Sequence, residues 1–248
     1  MKSLRVGTGF VWDVSDPVTD KPCPGDKCDE KIVRKSWIFR VRTAQHVVYN
    51  TEEAKATKVD LFYDDENCQK DGRLKTASAV KVVQFDPNRD ASVMLCVTHD
   101  ENLGERIESA WRCWFQSKGI SLDLSSPILT SACGSGAGLD SALIVSHPHG
   151  QSKKITLGVV KAEERPFHVM YNAATCPGSS GAPVFKFDSH LKDGRCLLWF
   201  TIVHSGSYVT TSAKQQGPLS VMTRFYRKLS GRKNKLNKSN YGNFWLLF

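Results

Sequence analysis

Short segments that alternate apolar and polar residues recur along the chain, separated by stretches rich in glycine, proline or aspartate. Trp37 to Arg42 is one example: apolar and basic residues alternate in its second half, which is the period of a strand with one buried face. Similar patterns predict strands at 6–14, 59–63, 79–85, 91–97, 142–146, 155–161, 167–171, 182–187, 197–204 and 209–211. About six strands then fall on each side of a polar segment at 116–140, which predicts an all-β chain of two barrels.

Two segments have helical spacing instead. In 105–115, the apolar residues Ile107, Ala110, Trp111 and Trp114 share one helical face. Apolar positions within 221–229 predict a short C-terminal helix. We therefore divide the chain into an N-terminal barrel (1–115), a C-terminal barrel (116–222) and a basic helix or tail (223–248). The apolar last residues, 244–248, are expected either to dock on the body or to mark where a longer protein was cut.

Composition places the chain among ordinary globular proteins, with 40% hydrophobic and 24% charged residues. No apolar run approaches the length of a membrane span, and the first residues do not form a secretory signal, so we expect an intracellular location without membrane attachment. The eight cysteines are then expected to be reduced. A single C-x₄-C pair, Cys23 and Cys28, is weak evidence for zinc, and no metal is predicted.

The formal net charge of +9 is concentrated near one end of the chain. Residues 223–238 contain seven basic side chains and no acidic one. Such a tail is more often a solvated or localising segment than a binding surface, so no nucleic-acid partner is required.

A serine bracketed by glycines lies in the run Gly-Ser-Ser-Gly-Ala-Pro-Val at 178–184. The glycines allow a tight turn that points backbone N–H groups and a hydroxyl at one small volume, as acyl transfer requires. The segment alone fits a loop before a strand equally well. A serine nucleophile at Ser180 needs an imidazole to accept its proton, and His46, where a predicted strand meets a turn, is the predicted base.

The base in turn needs a carboxylate that holds its tautomer. Asp90 opens a predicted strand with small residues beside it, so its carboxylate can be partly buried. Asp86 is the alternative, but it lies in a Pro-Asn-Arg loop and lacks the adjoining strand.

Together these stretches resemble the chymotrypsin-like serine protease superfamily, and more closely its intracellular HtrA-like, trypsin-like peptidase branch. The resemblance covers most of residues 4–210 and keeps the superfamily's order of His, Asp and Ser. It consists of Gly-Thr-Gly-Phe-Val at 7–11, Thr-Ala-Gln-His-Val-Val at 43–48, Asp-Ala-Ser-Val-Met-Leu at 90–95, Ser-His-Pro-His-Gly at 146–150 with Ile-Thr-Leu-Gly-Val-Val at 155–160, and the serine motif at 178–184.

The resemblance implies two perpendicular six-stranded antiparallel β-barrels with the active site in the cleft between them. Ser180 would be the nucleophile, His46 the general base and then acid, and Asp90 the orienting carboxylate. The N–H groups of Gly178 and Ser180 would form the oxyanion hole. Such an enzyme takes a protein or peptide substrate and uses no cofactor.

The chain also departs from the secreted digestive members of the superfamily. Val47 stands where they have a cysteine after the histidine, and no Ile-Val-Gly-Gly start is present. Ala182 replaces their usual glycine. Nothing in the sequence resembles a PDZ domain, so assembly of the HtrA type is not implied.

The specificity pocket is expected at Ala174, Thr175, His204, Ser205 and Gly206. Ala174, six residues before the nucleophile, offers no acid for a basic substrate side chain. Thr175 and His204 match the pocket pair of glutamyl endopeptidases and picornaviral processing proteases, which implies a preference for Glu or Gln. In the competing interpretation His204 packs against the barrel and the pocket is apolar, accepting Phe or Leu.

The sequence therefore predicts a serine endopeptidase of the two-barrel class. The alternative, from a different functional class, is a binding module that keeps the protease fold without efficient catalysis.

Overall fold

The computed structural model describes residues 4–19, 22–25, 34–116, 121–123, 141–163, 169–188, 195–206 and 244–247. The strands of its N-terminal part are β1 (Arg5–Val14), β2 (Trp37–Ala44), β3 (Thr57–Leu61), β4 (Lys75–Asp86) and β5 (Ala91–Thr98). The strands after them are β6 (Ser121–Asp123), β7 (Ser141–Ser146), β8 (Lys154–Glu163), β9 (Val169–Tyr171), β10 (Pro183–Asp188), β11 (Arg195–Val203) and β12 (Phe244–Leu247). The helices are α1 (Thr51–Lys55), α2 (Glu101–Gln116) and a 3₁₀ turn at Pro148–Gly150.

The N-terminal strands close into a barrel in the order β1, β12, β3, β4, β5, β2. Strands β2 and β5 pair antiparallel along their whole length, from Trp37 opposite Thr98 to Ala44 opposite Ala91. The alternation that predicted β2 buries its apolar side chains inside this barrel, as the burial of Phe39 shows. The predicted strands at 59–63, 79–85 and 91–97 thus correspond to β3, β4 and β5, with shifted ends.

Strand β12 completes the barrel by pairing in parallel with β1 on one side and with β3 on the other. Phe244 lies opposite Arg5 on β1 and opposite Thr57 on β3. The expected docking of the apolar end takes this form, although no strand was predicted there. The predicted C-terminal helix and the strand at 209–211 lie outside the described residues.

The second sheet is antiparallel and six-stranded, in the order β6, β11, β10, β7, β8, β9. Its strands curl into a half-barrel. A closed barrel and a half-barrel with few helices are the chymotrypsin-like double-barrel architecture that the sequence predicts.

Helix α2 lies where helical spacing predicts it but begins earlier, at Glu101. The reason is a cap: the carboxylate of Asp100 accepts the N–H of Leu103 at 3.1 Å. Leu103 and Ile107 are buried and belong to the hydrophobic core. Among the described helices, none combines the length and hydrophobicity that crossing a bilayer requires.

Candidate active site

His46 and Asp90 lie just beyond the paired ends of β2 and β5. Ala44 is opposite Ala91, and the N–H of Gln45 donates to the carbonyl of Asp90 at 2.9 Å, so the next side chains emerge together. Oδ2 of Asp90 lies 2.7 Å from Nδ1 of His46, and Oδ1 accepts the N–H of His46 at 3.0 Å. Asp90 adopts a positive φ of 46°, an uncommon conformation for a residue with a side chain.

The rival carboxylate, Asp86, has other partners. It accepts the N–H of Asn88 at 3.0 Å and lies 3.4 Å from Nε of Arg89. The structure thus brings Asp90, not Asp86, to His46.

The carboxylate of Asp90 also accepts a hydrogen bond from the hydroxyl of Ser205. Burial by itself raises the pKa of Asp90, but the hydrogen bonds and charge of His46 and the hydroxyl of Ser205 outweigh it, so the pKa lies below its usual value. Asp90 therefore stays ionised and can keep the Nδ1 proton of His46 in place.

The turn that carries Ser180 is built on two glycines with positive φ, 96° at Gly178 and 94° at Gly181. A Cβ atom at Gly181 would lie 2.0 Å from the carbonyl oxygen of Thr8 and 2.3 Å from Oγ1 of Thr43. Only glycine fits there, because both the conformation and the space exclude a side chain. This confirms the tight turn that the glycine-bracketed sequence predicts.

The two adjacent serines have different environments. Ser179 is 0% exposed, and its hydroxyl donates to Oγ of Ser146 at 3.2 Å. Ser180 is half-buried, and its hydroxyl has no hydrogen bond to His46 among the described residues. Hydrogen bonds of catalytic groups are often long or poorly aligned without substrate, so this geometry does not exclude the pair.

Some backbone amides of the turn donate hydrogen bonds within the protein, and others do not. Those of Ser179, Gly181 and Ala182 donate to the carbonyls of Cys176, His204 and Ser179 at 3.0, 2.7 and 3.0 Å. In the described part of the chain, the N–H groups of Gly178 and Ser180 donate to no protein acceptor. These are the two amides predicted for an oxyanion hole.

Thr8 on β1 connects the two halves of the molecule at this turn. Its N–H donates to the carbonyl of Ser180 at 2.8 Å, and its hydroxyl donates to that of Gly178 at 2.8 Å. The same hydroxyl accepts the N–H of His147 at 2.9 Å. Beside it, Gly7 is wedged between Val47 and Ser180, since an added Cβ would lie 2.6 Å from the Val47 side chain and 3.1 Å from the carbonyl of Ser180. Residues next to His46 and Ser180 therefore meet at β1.

Of the predicted pocket residues, His204 is the most buried, at 2% exposed. Nδ1 of its ring lies 2.7 Å from the hydroxyl of Tyr171. Burial, together with the charge of His46, lowers the pKa of His204 to about 3, so its imidazole is neutral. A neutral ring that accepts the tyrosine proton at Nδ1 carries its own proton on Nε2.

The remaining pocket residues differ in exposure. Ala174 is exposed, and Thr175 and Gly206 are half-buried. A Cβ atom at Gly206 would meet nothing within 4 Å. Ser205 was predicted as a pocket residue, and the structure gives its hydroxyl a contact with Asp90 that the sequence did not indicate.

Sequence reasoning also missed Thr8 and Tyr171. Thr8 lies between two glycines in a segment used for the predicted strand and for the resemblance, but no role was predicted for its side chain; a polar side chain there could have indicated a bridging role. Tyr171 is 33 residues from His204 in sequence, and no local pattern connects them.

A closed barrel and a half-barrel that meet at β1, with this histidine, aspartate and serine turn at the junction, define the chymotrypsin-like class of double-barrel proteins. The model of the trypsin-like peptidase domain matches residues 7–191. The chain belongs to the trypsin-like peptidase family.

Solved structures similar to the chain have low sequence identity to it. The crystal structure of Deg5 is 12% identical, with 65% of this chain and 77% of that one covered and a TM-score of 0.31. The serine endoprotease from Yersinia pestis is 13% identical, with 71% and 55% covered and a TM-score of 0.32. The inactive form of the Rv3671c protease is 14% identical, with 68% and 79% covered and a TM-score of 0.27. No curated protein sequence matches the chain.

Proposed function

We propose that the protein is a serine endopeptidase that cleaves peptide bonds through Ser180, His46 and Asp90. The observation that carries this proposal is the pair of unused amides at Gly178 and Ser180, which flank the hydroxyl in a turn where the neighbouring amides are all hydrogen-bonded. The Asp90–His46 hydrogen bond supports it, because it orients a base beside the same junction.

In the proposed reaction, Oγ of Ser180 attacks the substrate carbonyl carbon while Nε2 of His46 takes the hydroxyl proton. Charge develops on the carbonyl oxygen, and the amides of Gly178 and Ser180 donate to it. The carbon–nitrogen bond breaks as His46 returns the proton to the leaving amine. Water, deprotonated by His46, then attacks the acyl-enzyme, and the carboxylic acid product and free Ser180 result.

Labelling with a fluorophosphonate tests this proposal. We expect the probe to label the protein and not Ser180→Ala, with Ser179→Ala as the matched control that keeps the label after correction for folded protein. His46→Ala should slow labelling by a factor on the order of 10³. A folded wild-type protein that takes no label would instead favour the binding module with the protease fold.

We propose that the enzyme prefers substrates with Glu or Gln directly before the cleaved bond. The support is a neutral His204 beside the Tyr171 hydroxyl: in the tautomer whose Nδ1 accepts that hydroxyl, Nε2 carries the proton, and such a donor suits the oxygen of a side-chain carbonyl. The exposed Ala174 brings no charge to the pocket. Profiling on a peptide library should show cleavage after Glu or Gln, and Tyr171→Phe should weaken that preference. Uniform cleavage after Phe or Leu would support the apolar pocket instead.

A further inference from the structure

The main chain of His46 is held from two opposite sides. On one side, Asp90 accepts its N–H at 3.0 Å. On the other, Nη1 of Arg5 donates to its carbonyl oxygen at 3.2 Å. Arg5 opens β1, the strand whose Thr8 contacts Ser180. The same strand therefore contacts the backbone of both the predicted base and the predicted nucleophile.

Arg5 also forms an ion pair that extends this contact along the loop after His46. Its Nη2 lies 2.5 Å from Oε1 of Glu53. The second oxygen of Glu53 accepts the N–H of Tyr49 at 2.8 Å, and the N–H of Glu53 donates to the Asn50 side chain at 2.9 Å. One carboxylate thus ties the first turn of α1, the loop residue Tyr49 and β1 together.

Burial makes this pair costly to break. The side chain of Glu53 is only 12% exposed, so removing Arg5 would leave a mostly buried carboxylate without its cation. The planar guanidinium donates to the His46 carbonyl and to Glu53 with two different nitrogens, which the single ammonium group of a lysine does not reproduce well.

We propose that Arg5 and Glu53 are positioning residues that fix the loop at 46–50, the His46 loop, so that the imidazole faces Ser180. This inference rests on the proposed function of the site. The pair acts through the main chain at His46 and Tyr49. If the imidazole is displaced, the pocket still determines how tightly the substrate binds. The transfer of the serine proton to the imidazole, however, becomes slow.

The expected result is a loss in kcat with KM nearly unchanged. Arg5→Ala and Glu53→Gln should each lower kcat by about 10- to 100-fold, and the double variant should be little worse than either single one, because the two residues act as one unit. Arg5→Lys should recover only part of the rate. Substrates are chosen from the cleavage profile of the wild-type protein.

Arg40→Ala is the matched control. Arg40 forms an ion pair with Asp13 at the same 2.5 Å, here between β2 and β1, and among the described residues neither side chain hydrogen-bonds to the loop at 46–50. Arg40→Ala should lose as much stability as Arg5→Ala or less, and its kcat should equal that of the wild type. If Arg5→Ala lowers kcat no more than Arg40→Ala does, or if KM alone changes, the positioning role is overturned.

A readout without turnover separates this inference from the proposed function. In protein labelled with ¹⁵N-histidine, the His46 ring signals, assigned by their loss in His46→Ala, should show one fixed Nδ1–H tautomer. Arg5→Ala should broaden or shift them, and Arg40→Ala should not. Unchanged ring signals in Arg5→Ala would refute the positioning role of Arg5 and Glu53, even if the enzyme is active. If the wild-type protein takes no fluorophosphonate label, the proposed peptidase function is refuted. The ring signals of His46 then still decide whether Arg5 and Glu53 position the imidazole.

Discussion

At the scale of single residues, Asp90 holds the site together through contacts on both of its oxygens. Its Oδ1 accepts the His46 N–H, and its Oδ2 faces the imidazole and the hydroxyl of Ser205. Ser205 lies two residues after the end of β11, so its hydroxyl links the second sheet to a carboxylate of the first barrel. We infer that Ser205 orients Asp90, and this contact can be tested separately from the pocket role expected from its sequence position.

Replacing Ser205 by alanine should lower kcat/KM by about 10- to 100-fold, because a hydrogen bond to a charged group is lost in a half-buried site. The cleavage profile should stay the same. Steady-state kinetics on two substrates of different preference would measure both quantities, with Ser15→Ala, which removes a hydroxyl bonded to the Ile38 carbonyl, as control. A changed profile at an unchanged rate would assign Ser205 to the pocket alone.

A second residue-scale prediction concerns the buried, neutral His204. Its pKa of about 3 in the folded protein lies below the ordinary value of 6.5, so between these values the unfolded chain binds a proton that the folded one does not. This contribution is fully present above pH 6.5 and is lost as the pH falls towards 3. The lowered pKa of Asp90 acts in the same direction.

The free energy of unfolding should therefore decrease as the pH falls from 6.5 to 4, as measured by urea titration. His204→Gln should flatten this dependence. An equal slope in the wild type and in His204→Gln would show that the ring is not kept neutral by burial.

At the scale of elements, the 178–181 turn and β1 fit together so closely that a methyl group cannot be added at Gly181. Gly181→Ala should be strongly destabilising and should abolish labelling of Ser180, because its Cβ would overlap the carbonyl of Thr8. Gly72 is the matched control: its φ is also positive, at 74°, but nothing lies within 4 Å of its Cβ position.

Gly72→Ala should cost about 1–2 kcal/mol, the ordinary penalty for a left-handed residue. Thermal unfolding of both variants measures the difference. Similar losses in the two proteins would mean that conformation alone, and not contact with β1, requires glycine in the active-site turn.

The elements themselves were largely predictable from the sequence, and their pairing was not. Alternation along β2 reports which face is buried, and a glycine-bracketed serine reports a turn, because both are local properties. The bond from Thr8 to Gly178 joins residues 170 apart, and that from Asp90 to Ser205 joins residues 115 apart. Such contacts follow from the packing of the first barrel against the second sheet and not from any short pattern. The positive φ of Asp90 has no sequence signal either.

At the scale of the whole molecule, the first barrel is closed by a strand from the far end of the sequence. Strand β12 lies between β1 and β3, and its pairing with β1 covers Arg5 through Thr8. That is the stretch of β1 whose other contacts reach the His46 carbonyl and the Ser180 turn. Without β12, β1 and β3 would each present an unpaired edge, and edges of this kind associate with other chains.

Deleting residues 244–248 should therefore destabilise the barrel, slow fluorophosphonate labelling of Ser180 and promote association in solution. Leu246→Pro tests the backbone pairing itself, since proline removes one ladder N–H and should be clearly more destabilising than Leu246→Ala, which keeps that donor. A synthetic peptide of residues 240–248 added to the truncated protein should restore part of the labelling rate, and a scrambled peptide should not. Equal unfolding free energies and labelling rates in the truncated and full-length proteins would show that the first barrel is complete without β12. In that case β1 would position the His46 loop and the Ser180 turn through its contacts with β2 and the second sheet alone.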